Sequence, residues 1–119
     1  MSFEFKSDVP IYLQIIENIK MRIISREYLP SERLPSVREL SLHYEVNPNT
    51  VQKALSELEN MGLIYTERTN GKFVTEDEAV INEIKKATID KMVADFLLDM
   101  SKIGMSKEDV EKAISNINK

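Results

Sequence analysis

Ile11, Ile15, Ile16, Ile19, Ile23 and Ile24 recur at three- and four-residue spacing. This predicts a helix over residues 11 to about 27 with one apolar stripe. Pro10 stands just before it, where a missing backbone N–H does no harm. A short connection over residues 28–34 contains Pro30. In the following run, Pro35-Ser36-Val37-Arg38-Glu39-Leu40, Ser36 lies three residues before Glu39. That is the spacing of a capping box, in which each side chain satisfies the other residue's free N–H. It predicts a short helix from Val37 to about Tyr44 that buries Val37, Leu40 and Tyr44. After a brief turn at Glu45-Val46, Asn47 reads as an N-cap and Pro48 as the first residue of the next helix. Val51, Leu55, Leu58 and Met61 form its buried side, and Gly62 is placed to end it in a left-handed conformation.

Two short helices joined by a tight turn, the second with a polar first turn, describe a helix-turn-helix. Residues 63–68 alternate as a strand does, and residues 72–75 supply a second strand. Between them, Thr69-Asn70-Gly71 carries an Asn-Gly pair that provides positive φ in a hairpin turn. A β-hairpin directly after a helix-turn-helix is a wing. The expected fold class is therefore mostly α (α+β), with a winged helix-turn-helix over residues 1–76.

Beyond Glu76 the character changes. Glu76-Asp77-Glu78 places acids where the dipole of a long helix favours them. Ile81, Ile84, Met92, Val93, Phe96, Leu97 and Met100 repeat at helical spacing, and Gly104 interrupts. Ser106-Lys107-Glu108-Asp109 resembles another capping box, ahead of a last stripe of Val110, Ala113, Ile114 and Ile117. Two helices, each with one apolar side, cannot build a core alone. The simplest partner is the same pair from a second chain. Residues 77–119 are expected to be a two-helix dimerisation arm, with Ile81, Ile84, Met92, Val93, Phe96, Leu97, Met100, Val110, Ile114 and Ile117 at its interface.

Composition narrows the function. The 119 residues contain no cysteine and one histidine, His43. Disulfide frameworks, thiolate zinc sites and multi-histidine metal sites are therefore excluded. No nucleophile–base pair or glycine-rich phosphate loop is present, so neither catalytic residues nor a cofactor are expected. No apolar run approaches the roughly 20 residues of a membrane-spanning helix, and the N-terminal residues do not read as a signal peptide. The expectation is a cytoplasmic protein. The net charge of −4 looks wrong for a nucleic-acid binder, and by itself favours an alternative, a winged-helix module for protein–protein interaction. Total charge, however, does not describe a particular face. Two windows, residues 46–56 and 68–75, contain basic residues and no carboxylate.

Those windows hold the candidate chemistry. With Val51 at the centre of the buried side, Asn49, Gln52, Lys53 and Ser56 point outward. An amide pairs bidentately with adenine, and lysine donates to guanine or phosphate. Asn47 and Pro48 are more simply a cap and a helix starter. Arg38 faces either the duplex or an intrahelical carboxylate, Glu39 or Glu45. Ser36 and the free N–H groups after it suit a phosphate. In the wing, Arg68 and Lys72 flank Asn70-Gly71, whose glycine lets backbone approach a duplex closely. His43 has no metal-ligand neighbour and reads as a structural residue.

Five motifs occur in order: Pro10-Ile11-Tyr12-Leu13-Gln14-Ile15, Leu34-Pro35-Ser36-Val37-Arg38-Glu39-Leu40, Val46-Asn47-Pro48-Asn49-Thr50-Val51, Leu58-Glu59-Asn60-Met61-Gly62-Leu63-Ile64 and Gly71-Lys72-Phe73-Val74. Together they resemble the GntR family of bacterial transcriptional regulators, and the short two-helix tail resembles its YtrA-type subfamily. The resemblance implies a homodimeric repressor on a palindromic operator of double-stranded DNA, controlling a nearby operon. It places DNA contacts on Ser36, Arg38, Asn47, Asn49, Thr50, Gln52 and Gly71. Many relatives carry arginine at the positions of Pro48 and Gln52, a departure that bears on sequence preference. The tail is too short for a large effector domain, so any small-molecule effector would sit at the dimer interface.

Overall fold

The computed structural model describes residues 3–117. The expected domains begin at residue 1 and end at residue 119, so residues 1, 2, 118 and 119 lie outside the described ones. The elements are α1 (Ile11–Ile24), α2 (Val37–Tyr44), α3 (Pro48–Asn60), β1 (Ile64–Glu67), β2 (Gly71–Val74), α4 (Glu78–Ser101) and α5 (Lys107–Asn116). Two compact units, residues 1–83 and 84–119, divide within α4.

In the first unit α3 is central, packed against α1, α2 and β1. Its core combines Ile15, Ile19 and Ile23 of α1, Leu40 and Tyr44 of α2, and Val51, Ala54, Leu55 and Leu58 of α3. Leu63, Ile64 and Val74 close it from the wing side. Burial of each large aliphatic side chain contributes roughly 1.5–3 kcal/mol, so the stripes rather than helix propensity hold these short helices. Three residues expected on the buried sides lie at the margin: Ile11 and Met61 are exposed, and Val37 is half-buried. Helix α1 stops at Ile24, short of the expected end near residue 27, because Arg26 takes a left-handed backbone with φ 68°.

The caps follow the sequence pattern. Ser36 Oγ accepts from the Glu39 N–H at 3.1 Å, and Glu39 Oε1 accepts from the Ser36 N–H at 3.0 Å. Asn47 Oδ1 accepts from the Asn49 N–H at 2.7 Å, with Pro48 at the first helical position. The turn between α2 and α3 is made by Glu45, left-handed at φ 57°, a conformation few non-glycine residues adopt. Gly62, with φ 81°, ends α3.

The wing pairs Ile64 with Val74 through to Glu67 with Gly71. Residues 68–70 form the loop, in which the Asn70 N–H donates to the Glu67 carbonyl at 3.2 Å. Of the expected Asn-Gly pair only Gly71 has positive φ, at 98°. The turn is thus a three-residue loop closed by a glycine bulge. Residues 31–34, expected as plain connection, run along the other edge of β2. The Leu34 N–H donates to the Lys72 carbonyl at 2.8 Å, and the Val74 N–H donates to the Glu32 carbonyl at 2.9 Å. Ahead of α1, the Gln14 amide group accepts from the Lys6 N–H at 2.8 Å and donates to the Val9 carbonyl at 2.8 Å. Phe3 and Phe5 rest on the Tyr44 ring.

The start of α4 belongs to the first unit. Asp77 Oδ1 accepts from the Ala79 N–H at 3.0 Å, and Glu78 takes both ends of the Arg26 guanidinium. Ile81, expected at a dimer interface, is fully buried within the single chain. In the second unit, Ser106 and Asp109 form the expected capping box, at 3.0 and 3.1 Å. Val110, also expected at the interface, is 3% exposed. Both are therefore core positions rather than free surface, because this chain already covers them. By contrast Met92, Val93, Phe96, Ile114 and Ile117 are exposed, and Ile84, Leu97 and Met100 are half-buried.

Tyr44 offers a pH test of this packing. Burial pushes its hydroxyl up to about 12, with Arg22 opposing, and the hydroxyl donates to Asn18 Oδ1 at 2.6 Å. Since the folded value lies above the ordinary one of 10.0, this contribution is intact below that pH. It is lost as the pH rises through the folded value, roughly 2–3 kcal/mol in all. Tyr44→Phe is expected to flatten that alkaline fall in stability, measured by urea unfolding at stepwise pH. At neutral pH it is expected to cost about 1–2 kcal/mol for the unpaired amide oxygen. Gly71→Ala is expected to cost about 1–3 kcal/mol for its left-handed backbone, read from the same unfolding curves.

Candidate nucleic-acid interface

Burial of Val51, Ala54, Leu55 and Leu58 decides which side of α3 remains outside. Asn49, Gln52, Lys53 and Ser56 are exposed there, Thr50 is half-buried, and Asn47 and Pro48 are exposed at the helix start. No carboxylate interrupts this face before Glu57. The face is rich in donors and amides, and α3 leads with its N-terminus, the positive end of the helix dipole.

Helix α2 contributes two groups. Arg38 is exposed and makes no ion pair among the described residues, so neither Glu39 nor Glu45 takes its charge. Ser36 Oγ accepts from the Glu39 N–H, and its hydroxyl turns back to the Glu39 carboxylate, so Ser36 offers an outside acceptor little while that cap is closed. Hydrogen bonds from the Ser36 backbone and side chain hold the Glu39 carboxyl below the usual range. Glu39 therefore stays ionised and bound to its own cap at neutral pH.

The wing cations differ from one another. Arg68 and Asn70 are exposed at the hairpin loop, and Arg68 has no ion-pair partner among the described residues. Lys72 Nζ instead lies 3.2 Å from Glu59 Oε1 and 2.8 Å from Thr66 Oγ1. Glu59 is held below the usual carboxylate range, first by the Thr66 hydroxyl and then by Lys72. This brace ties the wing to the end of α3, and it loosens only as the pH falls through the lowered Glu59 value.

Two further residues, neither among those expected from the sequence, stand at this surface. Tyr12, off the apolar stripe of α1, carries Lys53 Nζ 3.9 Å from its ring centroid. With Ile11, Asn49 and Thr50 these two line a shallow depression. Arg33 lies against Gly71 of the wing. The signal for Arg33 was available, since residues 33–38 form a third run with two arginines and no acid. Nothing in periodicity marks Tyr12. His43 is exposed with its ring edge toward Tyr44, and no group of metal-binding side chains occurs among the described residues.

Comparison with known proteins agrees with this geometry. Residues 11–74 match the family described as bacterial regulatory proteins, gntR family. The chain is 38% identical over 114 residues to the uncharacterized HTH-type transcriptional regulator YhcF of Bacillus subtilis (strain 168), covering 96% of this chain and 94% of that one. It is 35% identical over 114 residues to the HTH-type transcriptional repressor YtrA of the same organism, covering 95% and 88%. A GntR family transcriptional regulator from Listeria monocytogenes superposes with a TM-score of 0.87 at 37% identity, over 96% of this chain and 100% of that one. AraR(DBD), solved in complex with operator ORX1, superposes with a TM-score of 0.58 at 28% identity, over 63% and 95%. The chain belongs to the GntR family: it is a bacterial DNA-binding transcriptional regulator with a winged helix-turn-helix, and not an enzyme.

Proposed function

We propose that the protein is a homodimeric repressor that binds a palindromic operator near its own operon, one α3 in the major groove of each half-site. The observation that carries this reading is the exposed, carboxylate-free side of α3, made of Asn49, Gln52, Lys53 and Ser56. Asn49 and Gln52 read base edges, since amides pair bidentately with adenine. Asn47 and Thr50 orient the start of the helix against the phosphates. Ser36 and Arg38 of α2 and Arg68, Asn70 and Gly71 of the wing hold the backbone to either side. Lys53, poised over Tyr12, donates from the rim of the same face. Lys72 acts mainly by keeping the wing in place, because Glu59 already neutralises it.

The arm supports a dimer. Met92, Val93 and Phe96 lie on one side of α4, and Ile114 and Ile117 stand one turn apart at the end of α5. All five are exposed, from 46% at Phe96 to 64% at Ile117. Large apolar side chains exposed in this number support an association surface. A two-fold dimer would meet half-sites about 34 Å apart, one turn of the duplex. Repression is supported by the function named for YtrA. The cytoplasm, where the DNA is, is the proposed site of action. No helix of the described residues is long and apolar enough to cross a membrane.

Binding is expected to favour the duplex upstream of the protein's own gene over a scrambled duplex, and to weaken steeply as salt is raised. In Asn49→Ala and Gln52→Ala proteins that preference is expected to shrink by about 1–3 kcal/mol for each base pairing removed. Fluorescence anisotropy at two salt concentrations measures both effects. An unaltered preference in the double variant would show that α3 does not read the bases. The doubly substituted Met92→Glu, Phe96→Glu protein is expected to sediment as a monomer and to lose most of its operator affinity. A dimer that survives those charges would place the interface elsewhere.

A further inference from the structure

Arg33 belongs to the connection between α1 and α2, outside the elements that form the helix-turn-helix and wing. Its backbone is nevertheless fixed to the wing. The neighbouring Leu34 N–H donates to the Lys72 carbonyl at 2.8 Å, and Arg33 itself bridges to Phe73 in antiparallel register. The side chain then crosses the face of Gly71. A Cβ at residue 71 would stand 3.1 Å from Arg33 Nε and 3.4 Å from Nη2. Glycine is favoured there by its φ of 98°, and a Cβ would also press on the guanidinium lying over it.

The guanidinium held this way is unspent. Arg33 is exposed and makes no ion pair or side-chain hydrogen bond among the described residues. Glu39, committed to Ser36, feels it only as a minor charge. Arg33 opens onto a cleft of about 270 Å³ between the start of α2 and the wing, lined also by Ser36, Glu67, Arg68, Gly71 and Lys72. Three cations and one carboxylate line it, and only Lys72 has its charge matched at close range, by Glu59.

We infer that Arg33 grips a backbone phosphate of the bound duplex, reaching it past the bare α-carbon of Gly71 beside Arg68. A planar, permanently charged fork suits a phosphodiester oxygen pair. The cleft has the donors for one such group and no base-reading amide. Arg33 therefore contributes affinity without sequence preference. The inference rests on the proposed docking of α3 and the wing on DNA.

The test compares full-length wild type, Arg33→Gln and Arg33→Lys on two duplexes, the segment upstream of the protein's own gene and a scrambled sequence of equal length. Arg33→Gln is expected to weaken binding about tenfold or more on both duplexes alike. Its plot of log affinity against log salt is expected to be shallower by about 0.9 for each phosphate no longer neutralised. Arg33→Lys is expected to keep most of that slope, and both variants to keep the wild-type thermal midpoint. Lys102→Ala, on the arm, serves as a charge-loss control with an unchanged slope. An unchanged slope in Arg33→Gln would overturn the inference. So would an equal loss in both variants with a lowered midpoint, which would make Arg33 a brace of the wing. If wild type itself does not prefer the upstream segment, the operator reading fails, while the slopes on the scrambled duplex still decide the role of Arg33.

Discussion

Everything at the proposed DNA-facing surface depends on which side of one thirteen-residue helix is buried. Val51, Ala54, Leu55 and Leu58 are held inside by α1, α2 and β1, and that burial turns Asn49, Gln52, Lys53 and Ser56 outward. A rotation of α3 by one residue, about 100°, would expose aliphatic surface and bury polar groups at a cost the small core could not bear. The polar face is therefore positioned by the hydrophobic one, and its readiness for DNA follows from packing rather than from any contact of its own.

The wing completes the surface by a different kind of restraint. Backbone hydrogen bonds to residues 31–34 fix one edge of β2, and the Lys72–Glu59 pair with Thr66 holds the hairpin to α3. These groups are partly exposed, and such pairs contribute little to global stability. Their use is local: they set where Arg68 and Gly71 stand relative to α3. The result reconciles a net charge of −4 with DNA binding. Apart from Glu67 in the wing, the acids near this surface are engaged in caps and braces or lie off it, and Arg33, Arg38 and Arg68 face outward with no ion pair among the described residues.

Legibility in the sequence followed the range of the interactions. The helix caps were readable because they are local: Ser36 with Glu39, Asn47 with Pro48, and Ser106 with Asp109 each lie within one turn. The buried stripes were readable from spacing, apart from Ile11, Val37 and Met61 at the ends of elements, where a neighbour runs out. What escaped was long-range or conformationally unusual. Left-handed Arg26 and Glu45 carry no glycine to announce them. Residues 31–34 join β2 without any strand pattern of their own. Ile81 and Val110 have the same helical spacing as the exposed apolar residues around them, and spacing cannot say whether the covering partner is in the same chain. At the candidate site, Arg33 and Tyr12 come from segments far along the chain from α3, and only the fold brings them to it.

The most direct measurement of the central claim is an amide-by-amide NMR titration of the labelled protein with the duplex upstream of its own gene. The account predicts the largest shift changes over residues 47–56, with a second group over residues 68–72. Strong changes confined to other surfaces, with residues 47–56 unmoved at saturation, would contradict it.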